Sequence, residues 1–121
     1  MFLLVDDDLD ILDFYCEYLQ SRGALVLCAR SAASALSMYK KYADEIRGVI
    51  SDGEMPGENG IWLAERIREI SGTHESPRLI LFSGNESMLR EPKAMRLFNQ
   101  CIAKPEKPEV LWQLLSERDI G

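Results

Sequence analysis

The stretch Gly48-Val49-Ile50-Ser51-Asp52-Gly53-Glu54-Met55-Pro56-Gly57-Glu58-Asn59-Gly60 decides how the rest of the chain is read. Gly48-Val49-Ile50 is apolar without alternation, as a strand buried on both faces must be, and it runs straight into Ser51-Asp52. Gly53 to Gly60 has the composition of a loop. Beyond it Ile61, Ala64, Ile67 and Ile70 recur at the spacing of one helical face, in a helix expected from Ile61 to Ile70. Strand, polar loop and amphipathic helix in that order make a βα unit.

The same unit repeats outward in both directions. Phe2 to Val5 is a short apolar strand ending in Asp6-Asp7-Asp8, and Ile11, Leu12, Tyr15 and Leu19 then share a helical face that stops at Gly23. Leu25 to Cys28 is the next strand, and Ser31 caps a helix with Ala32, Leu36, Tyr39 and Ala43 inward. Toward the carboxyl terminus, Arg78 to Phe82 forms a strand closed by Ser83-Gly84-Asn85. Pro92 disfavours helix at Glu91 but suits a first helical position, which predicts a short helix from about Pro92 to Phe98. Cys101-Ile102-Ala103 is the fifth strand, and Pro108 opens a last helix carrying Val110, Leu111, Leu114 and Leu115. Five βα units with strands buried on both faces predict a parallel five-stranded sheet covered on both sides, an α/β fold.

All of this fits within 121 residues, the room of one domain spanning 1–121. The 46% hydrophobic fraction supplies a core and the 28% charged fraction a polar surface, which excludes disordered and fibrous classes. The longest apolar run, Ala24 to Ala29, falls far short of the roughly 20 residues of a membrane span. Asp6, Asp7 and Asp8 lie where the apolar stretch of a secretory signal would be. With 14 basic and 20 acidic residues the net charge is −6, a field that repels phosphate backbones, so no direct nucleic-acid partner is expected. Cys16, Cys28 and Cys101 are odd in number, far apart in sequence and without zinc spacing. They are expected as small reduced core residues, His74 as an exposed surface residue, and the location as cytoplasmic.

In an open parallel sheet, ligands bind outside the carboxyl ends of the strands, near the switch in strand order. Those ends carry Asp6 and Asp7, then Asp52, Ser83 and Lys104. Three carboxylates together repel unless a cation joins them, and hard oxygen donors suit Mg²⁺. A lysine and a hydroxyl beside that cation match what a transferring phosphoryl group requires. The metal and Lys104 neutralise its oxygens, Ser83 donates a hydrogen bond, and Asp52 is the nucleophile that becomes an acyl phosphate. Asp8 and Asp10 are read instead as acids favoured at a helix N-terminus.

With these residues in place, the chain resembles the receiver domain of bacterial two-component response regulators over essentially its whole length. Val5-Asp6-Asp7 is similar to the family's acidic pair, and Asp52 with Met55-Pro56 and Gly60 to its phosphoacceptor loop. Ser83-Gly84 resembles its Thr/Ser-Ala/Gly pair, and Lys104-Pro105 its lysine followed by a cis proline. The resemblance implies a flavodoxin-like three-layer sandwich with strand order 2-1-3-4-5. It implies a Mg²⁺ site made by Asp6, Asp7, Asp52 and the backbone carbonyl of Glu54. It further implies phosphoryl transfer to Asp52 from a histidine kinase or phosphotransfer protein. The face of the fourth helix, fifth strand and fifth helix would then switch, to be read by an output domain or protein or to pair two copies. Such a domain assists its own phosphorylation and dephosphorylation and is not an enzyme acting on diffusible substrates.

Three departures from the family pattern bear on that switch. Glu54 adds a carboxylate two residues beyond Asp52. Cys101 stands where many receivers carry the Tyr or Phe that swings inward with the hydroxyl, leaving Phe98 as the substitute. The run Asn85 to Glu91 holds few apolar side chains, so it is expected to be weakly anchored. A receiver reduced to a docking module is the alternative that these departures leave open. A phosphohydrolase of the haloacid-dehalogenase type is disfavoured. That family resembles D-x-D at its nucleophile, where this chain reads Asp52-Gly53-Glu54, and its acid pair follows the nucleophile in the chain.

Overall fold

The computed structural model describes residues 1–72 and 76–117; His74 lies outside the described residues. Five strands, β1 (Phe2–Val5), β2 (Val26–Ala29), β3 (Gly48–Ser51), β4 (Arg78–Ser83) and β5 (Gln100–Ala103), form one sheet in the order 2-1-3-4-5. Every neighbouring pair is parallel. The helices between and after them are α1 (Leu9–Ser21), α2 (Ala32–Tyr42), α3 (Gly60–Ser71), α4 (Glu86–Leu89), α5 (Pro92–Leu97) and α6 (Pro108–Ser116).

The uninterrupted apolar strands serve two cores at once, because successive side chains point to opposite faces of a sheet. Leu3, Val5, Val49, Leu79 and Leu81 face one way and meet Ala32, Ala35 and Tyr39 of α2, Leu63, Ala64 and Ile67 of α3, and Ala94 of α5. Leu4, Ile50, Ile80 and Phe82 face the other way, against Leu12, Tyr15 and Leu19 of α1 and Leu111 and Leu115 of α6. The outcome is the three-layer, flavodoxin-like sandwich expected from the pattern.

Local differences from the sequence reading have identifiable causes. In α3, Ile70 is 42% exposed, while Gly60, Leu63, Ala64, Ile67 and Ser71 form the buried stripe. Gly60 turns the helix this way: a side chain there would run into the backbone carbonyl of Asp52, and Gly60 N–H donates to the Gly53 carbonyl at 2.9 Å. Leu25 is 70% exposed and precedes β2, which begins one residue later.

Within Asn85 to Glu91, expected to be weakly anchored, the structure forms the four-residue α4, none of whose residues is buried. Asn85 caps α4 by accepting the Met88 N–H at 3.2 Å, and Met88 and Leu89 pack half-buried against the first core. Pro92 does open the following helix, which ends at Leu97, and Phe98 turns into the core. The cysteines also differ from the expectation of core residues. All three are half-buried, and Cys16 and Cys28, distant in sequence, have sulfurs 3.0 Å apart.

Opposite the carboxyl ends of the strands, Arg68 ties α3 to the chain entering β4 and β5. Its guanidinium donates to the Leu97 carbonyl at 2.7 and 3.0 Å, the Pro77 carbonyl at 3.4 Å and Asn99 Oδ1 at 3.1 Å. Asn99 Oδ1 also accepts the Leu79 N–H at 2.8 Å, so one side chain serves two elements. Hydrogen bonds from a charged donor contribute about 1.5–3 kcal/mol. Arg68→Met keeps the stem and removes every donor, and urea unfolding is expected to show a loss of about 2 kcal/mol.

Candidate functional site

Strand register assembles the site. Val5 pairs with Ser51 and Ser51 with Leu81, so Asp6 and Asp52 leave the sheet side by side at its carboxyl edge. Ser83, two residues beyond Leu81, pairs with Ala103, which sets Lys104 one residue past it. Backbone bonds hold the ends in place: Asp52 N–H to the Val5 carbonyl at 2.8 Å, Asp6 N–H to Ala29 at 3.1 Å, and Lys104 N–H to Ser83 at 3.0 Å. The Lys104–Pro105 peptide is cis. The strand order switches between β1 and β3, where ligand crevices of this architecture open.

The side chains converge there. Lys104 Nζ lies 2.7 Å from Asp6 Oδ2 and 3.4 Å from Asp52 Oδ1. Asp6, Asp52 and Ser83 are buried at 3%, 9% and 1% exposure, whereas Asp7 faces solvent. Burial raises the Asp52 carboxyl above its ordinary range and the Asp6 charge adds to the rise; Lys104 and the Gly53 N–H oppose it without cancelling it. Burial disfavours the Lys104 ammonium, but the hydrogen bond and charge of Asp6, with Asp52 behind them, outweigh burial and hold its pKa above the usual lysine range. The lysine therefore stays charged and the pair of carboxylates stays crowded.

The carboxylate oxygens of Asp6, Asp7 and Asp52 lie within 4.8 Å of one another, a hard, all-oxygen donor set of the kind that suits Mg²⁺. Asp6 joins it with both oxygens engaged, Oδ1 by the Asp8 N–H at 2.9 Å and Oδ2 by Lys104. The Glu54 carboxylate is not in that cluster; its Oε1 accepts from Asn85 Nδ2, bridging the loops after β3 and β4. Asp8 caps α1 by accepting the N–H groups of Asp10 and Ile11 at 3.0 and 3.3 Å, and Asp10 lies in the first turn, as expected of helix N-terminal acids. Cys101 pairs with Leu81 and, like Phe98, packs into the first core.

Several residues of the site carried no sequence signal. Asn85 donates its N–H to Ser83 Oγ at 3.1 Å while capping α4, so it is attached to the hydroxyl directly. Tyr15 donates to the Glu106 carbonyl at 2.6 Å and meets Phe82 edge-on at 5.3 Å. Lys104 Nζ lies 5.6 Å from the centre of the Phe82 ring. These contacts orient the lysine from below, and their sequence separations put them beyond any local pattern. No helix among the described residues is long and apolar enough to cross a membrane.

Five parallel strands in this order thus carry acids, a hydroxyl and a lysine on one rim. The response regulator receiver domain family matches residues 2–116, and the chain belongs to that family. It is 30% identical over 115 residues to the uncharacterized 14.6 kDa protein of the sodA1 3′ region of Leptolyngbya boryana, covering 95% of this chain and 86% of that one. It is 34% identical over 120 residues to the virulence sensor protein BvgS of Bordetella bronchiseptica, covering 95% of this chain but only 10% of BvgS. A response regulator receiver protein from Pseudomonas putida superposes with a TM-score of 0.82 at 27% identity, over 97% of this chain and 95% of that one.

The crowded carboxylates have a stability consequence. Because the folded-state pKa of Asp52 is raised, its ionised form is disfavoured on folding at pH values above that pKa. Asp52→Asn, which cannot ionise, is therefore expected to raise the Tm by a few degrees at pH 7. The gain should shrink as the pH falls into the carboxylate range, where Asp52 is itself neutral. Thermal unfolding of both proteins between pH 7 and pH 4 checks the sign.

Proposed function

We propose that this chain is a phosphorylation-controlled switch in which Asp52 accepts a phosphoryl group from the phosphohistidine of a histidine kinase or phosphotransfer protein. The observation that carries the reading is the Lys104 ammonium held against both Asp6 and Asp52, with buried Ser83 on the neighbouring strand end. An Asp52 oxygen attacks phosphorus as the N–P bond of the donor breaks, and the imidazole leaves with the electron pair. Lys104, already 3.4 Å from Asp52 Oδ1, neutralises a phosphoryl oxygen as charge develops there. Ser83 Oγ accepts from Asn85, which leaves its own proton to donate to a second oxygen.

The donor set fits Mg²⁺ held by the side chains of Asp7 and Asp52, the backbone carbonyl of Glu54 and, through water, Asp6; there it would supply charge neutralisation. On this reading the domain promotes its own phosphorylation and dephosphorylation and is no enzyme toward diffusible substrates. Its signal is read at the face of α5, β5 and α6, by an output domain or protein or by a second copy. Work in the cytoplasm beside such a kinase follows from the same reading.

Incubation with acetyl phosphate and Mg²⁺ is expected to add one phosphoryl mass to the protein and none to Asp52→Asn. Undiminished labelling of the variant at another native residue would move the phosphoacceptor elsewhere. Asp7→Ala is expected to weaken Mg²⁺ binding by about tenfold or more, and native binding should weaken as falling pH protonates the carboxylates. In hydrogen exchange, beryllofluoride should alter protection over residues 84 to 98, and Ser83→Ala should blunt that change. Identical exchange with and without the phosphoryl mimic would reject switching through this segment.

A further inference from the structure

We propose that Cys16 and Cys28 are a redox modification site that closes to an intramolecular disulfide when the protein meets a hydroperoxide. The inference stands on where two elements place two side chains and is independent of the role assigned to Asp52. Cys16 lies on α1 and Cys28 on β2, the strand at one edge of the sheet, and both pack half-buried against the second core. Their sulfurs are 3.0 Å apart, with the Cys28 S–H donating to Cys16 Sγ.

A disulfide has its sulfurs 2.03–2.05 Å apart, so closure asks for about 1 Å of approach. The turn joining α1 to β2 is already tied by Gly23 N–H to the Gln20 carbonyl at 2.9 Å and by Ala24 N–H to the Leu19 carbonyl at 3.3 Å. The two elements therefore hold the thiols together before any bond forms. Cys101 belongs to β5, at the opposite edge of the sheet, and serves as an internal control.

The chemistry balances with one peroxide. The Cys16 sulfur attacks the O–O bond; an S–O bond forms, the O–O bond breaks, and the leaving oxygen departs with a proton as an alcohol or water. Cys28 sulfur then displaces the hydroxyl of this sulfenic acid; the S–S bond forms, the S–O bond breaks, and water leaves with the Cys28 proton. Two thiols lose two electrons and the peroxide gains them. Burial first, and then the neighbouring thiol, push the Cys28 thiol up to about 12. The Cys28 S–H is engaged by Cys16 Sγ, which leaves Cys16 as the sulfur that meets the oxidant.

Treatment of the whole chain with hydrogen peroxide, followed by thiol titration under denaturing conditions and peptide mass analysis, tests this. The free thiols should fall from three to one, with loss of two hydrogens and a linked peptide containing Cys16 and Cys28. A dithiol reductant should reverse the change. Cys101→Ser should still lose two thiols, whereas Cys28→Ser should give no linked peptide. Because Cys28→Ser perturbs a packed site, the native chain and Cys101→Ser carry the decision. A thiol count that stays at three, sulfinate without the linked peptide, or oxidation confined to dimers through Cys101 overturns the proposal.

Discussion

One ammonium group holds the carboxyl edge of this sheet together. Asp6 and Asp52 leave adjacent parallel strands at the same level, so the register itself forces two buried carboxylates into proximity. Lys104 answers that repulsion from the far edge strand, reaching Asp6 at 2.7 Å and Asp52 at 3.4 Å. It does so incompletely, since the Asp52 carboxyl remains raised by burial and by Asp6. A site that is left short of positive charge is one that favours a bound cation.

The lysine in turn depends on residues that never touch Asp52. Phe82 immediately precedes Ser83 and lies under the ammonium, Tyr15 packs edge-on against Phe82, and the Tyr15 hydroxyl fixes the Glu106 carbonyl two residues beyond Lys104. Helix α1, strand β4 and the loop after β5 are thereby joined behind the site. At the front, Gly60 sits against the Asp52 carbonyl, where a side chain would clash. As the first residue of α3, this glycine thus lets the helix begin close against the Asp52 carbonyl.

What the sequence disclosed was whatever the parallel sheet makes local. An apolar run that turns abruptly polar marks a strand's carboxyl end, and parallel strands share one such edge. Asp6, Asp7, Asp52, Ser83 and Lys104 could therefore be gathered without knowing a single distance. The inward faces of α1 and α6 followed from helical spacing for the same reason, whereas in α2 the spacing passed over the fully buried Ala35. Contacts between chemically ordinary residues far apart in the chain stayed hidden. Examples are Asn85 to Glu54 across 31 positions, Tyr15 to Glu106 across 91, and Cys28 to Cys16 across 12. Helix α4 was missed because 4 residues show no periodicity; one asparagine cap and the packing of Met88 and Leu89 make it. Ile70 fooled the pattern because the approach of Gly60 to Asp52, not the spacing of the isoleucines, sets the rotation of α3.

Asn85 is the feature with the widest reach. Its N–H grips the Ser83 hydroxyl, its side-chain oxygen starts α4, and its side-chain nitrogen holds Glu54 of the neighbouring loop. One residue thereby joins three separate parts of the rim. The Ser83 hydroxyl is thus linked to the first turn of α4 and to the loop after Asp52 through one residue, from its backbone N–H across the side chain to its amide.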